Sequence, residues 1–100
     1  MTQYLIATSV LETIVRGSLE NDLRLRVHAP LPLTRTRAVE VTVDSGKCSV
    51  SIQLDARMGE NLPALAGAAR RIIADALESM TGLVVTGVDV TFSGVFPASA

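Results

Sequence analysis

The feature that most constrains this chain is a pair of matched apolar stripes around one turn. Val39, Val41 and Val43 alternate with Ala38, Glu40 and Thr42, while Cys48, Val50, Ile52 and Leu54 alternate with Ser49, Ser51 and Gln53. The run Asp44-Ser45-Gly46-Lys47 between them is turn chemistry. A loop of Ser45-Gly46, or of all four residues, gives the same pairing: Val43 opposite Cys48, Val41 opposite Val50, Val39 opposite Ile52. A slip of one residue would turn one stripe to the other face, so the agreement of the two stripes fixes the register. The predicted hairpin has one apolar face to be covered and one face of small polar side chains.

The cover follows in the chain. Between Gly59 and Gly82, Leu62, Leu65, Ala66, Ala69, Ile72, Ile73, Ala76, Leu77 and Met80 recur at three- and four-residue steps. That spacing predicts one face of a helix. Asn61 is a natural N-cap, Pro63 falls in the first turn where a missing N–H costs nothing, and Gly82 supplies the left-handed residue that ends a helix. Arg70, Arg71, Asp75 and Glu78 fall on the other side, with Arg71 and Asp75 one turn apart and able to pair. Leu83 to Val95 then reads as a strand, reached by a crossover, with Val84, Thr86, Val88, Val90 and Phe92 on one face. Gly87, Asp89, Thr91 and Ser93 take the other.

Upstream, Ser9 and Glu12 carry a capping-box signature before Val10, Leu11, Ile14, Val15 and Leu19. A helix is expected from about Val10 to Glu20, with Tyr4 to Ala7 leading in as an extended segment. Leu23 to His28 alternates and reads as a further strand, with Leu25 and Val27 on its apolar side. Ala29-Pro30-Leu31-Pro32 is a stiff connector. The expected fold is therefore α+β, in the order α-(β)-β-β-α-β. A small mixed sheet of three or four strands would carry both helices on one face. Residues 1–96 form a single domain in this reading and 97–100 a loose tail.

Composition narrows the function. One hundred residues, 48% hydrophobic and 19% charged, suit one globular domain. A chain of this length hides ~60–70% of its unfolded surface without disulfides or metal. A net charge of −1 argues against a general nucleic-acid coat protein. One Cys and one His build neither a disulfide framework nor a four-ligand zinc site. No stretch approaches the ~20 apolar residues of a membrane span. The start Met-Thr-Gln-Tyr-Leu-Ile-Ala-Thr lacks the basic region of a signal peptide, so a cytoplasmic protein is expected.

Met80-Thr81-Gly82-Leu83, followed by Val85, Val88, Val90, Gly94 and Val95, resembles the C-terminal signature of the alkaline shock protein family, the envelope stress response proteins of Gram-positive bacteria. Gly59, Asn61, Leu62, Pro63, Leu65 and Ala66 resemble that family's glycine, apolar-proline and helix-entry pattern. Ile6 to Leu11 resembles its strand leading into the first helix. From Arg16 to Arg37 the chain departs: Gly17 to Asp22 stands where the family shows an alanine-rich helix and a Val-Pro-Gly-Val-like turn. The family's glutamine in the long helix is also missing around Ala69-Arg70. The resemblance implies a non-enzymatic cytoplasmic protein, self-associating or joined to paralogues, and held at the inner face of the membrane by a separate integral-membrane anchor. Gly59, Pro63, Met80, Thr81, Gly82, Leu83, Val88, Val90 and Gly94 would be its structural signature.

Few residues suit chemistry. Cys48 shares the apolar face of its strand and is expected to be a small buried hydrophobe. His28 alternates with Arg24 and Arg26 and is expected to be solvated. Glu40, Asp44, Asp55 and Glu60 show no paired spacing for acid–base work. No enzyme, no cofactor and no metal are therefore expected. Arg24, Arg26, Arg35 and Arg37 are the candidate partner-binding residues. Their alternatives are edge protection, a surface for an acidic protein or anionic lipid, and a small nucleic-acid-binding module. No Gly-x-x-Gly loop is present to clamp RNA, and Tyr4, Phe92 and Phe96 are the only aromatics to stack bases.

Overall fold

The computed structural model describes residues 6–30 and 37–98. Their order is α1 (Thr8–Leu19), β1 (Leu25–Val27), β2 (Val39–Asp44), β3 (Lys47–Arg57), α2 (Leu62–Thr81) and β4 (Val84–Phe96). This is the α+β order expected, and the alternating segment before the connector does join the sheet. The sheet is mixed. β3 is its spine, with β2 and β1 antiparallel along successive halves of one edge and β4 parallel along the other. Part of the extended lead-in, residues 31–36 with Arg35, and the last two residues of the tail lie outside the described residues.

The hairpin has the register read from its stripes: Val39 faces Ile52, Val41 faces Val50, Val43 faces Cys48 and Asp44 faces Lys47. Ser45 and Gly46 both hold positive φ, 51° and 79°. That backbone matches the right-handed twist of two strands joined by a two-residue loop.

The apolar face closes against both helices. Leu11, Val15 and Leu19 of α1, and Leu65, Ala69, Ile73 and Leu77 of α2, share one core with Val39, Val50, Ile52 and Leu54. In α2 the Asn61 side chain accepts the Ala64 N–H at 3.1 Å, Pro63 sits in the first turn, and Gly82 holds φ at 75°. All three end signals act as expected. Met80 does not: it lies beyond the last core turn and is 69% exposed. Leu62, at the first turn, is also exposed. Arg71 and Asp75 form no ion pair; Arg70 makes the helix's reach to the sheet instead.

Helix α1 begins two residues before the expected start. Ala7 is its N-cap, with no side-chain bond, and its carbonyl accepts the Val10 N–H at 3.0 Å. Ser9 is inside the helix, where its carbonyl accepts the Thr13 hydroxyl. Glu12, freed from any capping box, binds Arg37.

β4 corrects the expected facing of its first residues. Its register with β3 skips between Cys48 and Ser49, which pair with Val85 and Gly87. The extra residue, Thr86, reverses the alternation upstream of it. Val85 therefore packs on the core, while Val84 is 53% exposed. Val88, Val90 and Phe92 lie on the core side as expected.

Candidate functional site

Both helices lie on one side of the sheet, so no described element covers the other. That open face carries Glu40 and Thr42 from β2, Ser49, Ser51, Gln53 and Asp55 from β3, and Asp89 and Thr91 from β4. Its polar side chains converge at one end, where β1, the C-terminal part of β3 and the end of β4 run side by side.

The convergence centres on Asp55. Strand alternation turns Arg26 and His28 of the β1 segment away from Leu25 and toward the open face. His28 Nδ1 lies 2.7 Å from Asp55 Oδ1, and the two side chains are largely shielded. The expected solvated histidine is thus corrected: pairing of β1 with β3 brings it to a carboxylate 27 residues away. A second irregularity, between Leu54 and Asp55, sets Asp55 opposite Gly94. A Cβ on Gly94 would stand 2.8 Å from Asp55 Oδ1, so the carboxylate leans into space that only glycine leaves. Arg26 reaches across β3, and its guanidinium stacks 4.1 Å above the Phe96 ring. Just beyond, Arg57 donates to Glu60 at 2.7 Å. The cluster ties three strands together. It presents an imidazole with a bound carboxylate and, among the described residues, no nucleophile bonded to that imidazole: the Ser93 hydroxyl donates to Gln53 instead.

The candidate arginines have separate partners. Arg24 grips Asp22 with Nε and Nη2, at 3.0 and 2.7 Å, and its backbone N–H joins the same carboxylate. The Arg24 hydrogen bonds hold the Asp22 carboxyl below the usual carboxylate range, against a smaller opposing effect of burial. Arg26 lies on Phe96, and Arg37 donates to both Glu12 oxygens at 2.7 and 2.8 Å, joining the segment just before β2 to α1. Arg35 lies outside the described residues. Cys48 is 2% exposed, and burial, with a smaller push from the Glu78 charge, moves its thiol pKa up. That is the reverse of what a thiolate nucleophile needs.

Sequence reasoning passed over Asp55, Gly94 and Phe96 as a group. The hairpin register gave the face of Asp55, but its neighbours come from β1, distant in the chain, and from β4, whose register holds the irregularity just described. The alternation of Arg26 and His28 was the one available signal. Among the described residues no cluster of three or more His, Cys, Asp or Glu is placed to hold a metal, and no helix is long and apolar enough to cross a membrane. Compared with family models, with curated proteins and with solved structures, the chain matches none.

Proposed function

We propose that this protein is a non-catalytic assembly module of the envelope-stress type, working in the cytoplasm by self-association and by docking to a membrane-anchored partner. The observation that carries the reading is a sheet finished on one side only. Both helices sit on one face, while the opposite face has no described element against it and the outer edge of the 13-residue β4 is met only along part of its length, by side chains of α2. Small side chains such as Ser49, Ser51 and Thr91 let another surface approach the backbone closely. The resemblance of Gly59 to Val95 to the alkaline shock family supports the same reading and supplies the membrane-anchored partner. Many weakly paired copies would gain avidity for anchors confined to the membrane.

The arginines favour this over nucleic-acid binding, because Arg24 and Arg37 are already neutralised by Asp22 and Glu12. The experiment is capture of the tagged protein from nuclease-treated, detergent-solubilised lysate of its own host, read by mass spectrometry. Recovery of untagged copies or paralogues together with a small integral-membrane protein is the expected result. An eluate lacking these, with nucleic acid recovered when nuclease is omitted, would overturn the proposal. A salt-sensitive mobility shift lost on replacing Arg24, Arg26, Arg35 and Arg37 with alanine would then establish the alternative.

A further inference from the structure

The outer edge of β4 is sealed along half its length and open along the rest. Two side chains of α2 do the sealing: Arg70 Nε donates to the Val88 carbonyl at 3.2 Å, and Glu78 accepts the Val85 N–H at 3.4 Å. The register of β4 on β3 then runs without interruption from Gly87 to Phe92. In a parallel ladder every second residue turns both backbone groups to one neighbour. Val88 turns its carbonyl outward to Arg70, so Val90 and Phe92 also turn theirs away from β3. Among the described residues nothing bonds to them there. The devices that blunt a sheet edge, namely lysine, proline and inward charge, are missing from this stretch.

The geometry points to a second copy of this chain as the occupant, its β4 pairing antiparallel with this one about a two-fold axis at Thr91. The inference rests on the self-association proposed above and assigns its surface. In this register Val90 exchanges both backbone bonds with Phe92 of the second copy, and Phe92 does so with Val90. These half-buried side chains would then cover each other on the helix-bearing side. Thr91 meets Thr91 on the open face, a favourable cross-strand pair. Asp89, the one charge in the open stretch, falls opposite the Ser93 hydroxyl instead of another carboxylate. Val88 falls opposite Gly94, so the Arg70 cap of one copy and the irregularity of the other bound the ladder at both ends. A register centred elsewhere draws one of these into the ladder. The two sheets become one sheet of eight strands, closed by an isologous contact.

The test is site-specific crosslinking of the full chain with the buried Cys48 replaced by alanine. Thr91→Cys places two thiols at a non-hydrogen-bonded antiparallel pair, with Cα atoms about 4.5 Å apart, within disulfide reach. Asp89→Cys offsets the two thiols by four residues, roughly 13 Å, beyond that reach. Mild oxidation should convert the Thr91→Cys protein, and not the Asp89→Cys protein, to a covalent dimer. Val90→Pro removes only an outward N–H from β4. It should abolish the doubling of mass in sedimentation while the helical circular dichroism is kept. Association of the unmodified protein without selective Thr91→Cys crosslinking would overturn this interface and leave self-association standing. A monomer at every concentration tested would overturn both.

Discussion

The contact between Asp55 and Gly94 is decided by a single missing methyl group. The carboxylate is held by His28 and occupies space that a Cβ at Gly94 would need. Gly94→Ala should push the carboxylate off His28 and lower stability by about 1 kcal/mol, the value of one partly buried hydrogen bond. The same substitution in an Asp55→Ala background should cost less, because nothing remains to displace. Denaturant unfolding of the four proteins of that cycle measures the coupling directly. Cys48 gives a pH prediction of defined sign. Burial raises its folded pKa above the unfolded value. Its contribution to stability is therefore complete below the ordinary thiol pKa and is lost as pH climbs through the raised one. Stability of the unmodified protein should fall on that alkaline limb more than stability of Cys48→Ala, and alkylation of the native thiol should track global unfolding. Asp22 has the opposite sign. Its depressed pKa stabilises the fold above the usual carboxylate range, and that contribution disappears as pH falls through the depressed value.

At the scale of elements, the two helices differ in how their starts are specified. Helix α2 is closed by its own side chains, and Asn61→Ala should cost about 1 kcal/mol. Gly82→Ala should cost about the same, because a φ of 75° strains any residue with a Cβ. Helix α1 is the contrast. The Ser9 and Glu12 spacing matches a capping box, but the helix starts at Thr8 and Glu12 serves Arg37. Ser9→Ala should therefore change stability by less than about 0.5 kcal/mol, as at an ordinary surface site. Thermal or urea unfolding of the three variants separates a working cap from a matching pattern. The hairpin register was legible because two stripes had to agree. The facing of β4 was legible only downstream of Thr86, since alternation cannot register an extra residue whose cause lies in the partner strand.

For the whole molecule, length mismatch shapes the surface. The 20 residues of α2 span about 30 Å at 1.5 Å per residue, whereas the 13 residues of β4 extend about 43 Å. The molecule is accordingly long and thin, 52 × 31 × 20 Å. The sheet outruns its helices, leaving Val84 exposed at one end and Met58 and Val95 at the other. Arg37 crosses between layers with its side chain 60% exposed, so Arg37→Ala should cost no more than about 1 kcal/mol. If the basic segment binds a partner, the same variant should weaken capture of that partner far more than it lowers the unfolding midpoint.

The sequence by itself determined what local periodicity and end chemistry specify. These are the hairpin and its register, the span and caps of α2, the α+β order, and the burial of Cys48. Each depends on residues within a few positions of one another, so side-chain alternation and backbone preference suffice. Only the tertiary structure decided where β1 docks, which way the start of β4 faces, and that His28, Asp55 and Gly94 form one cluster. Those outcomes depend on pairings between segments tens of residues apart. An extra residue at each of two places in the ladder shifts what meets what, and only packing against the helices selects where it falls.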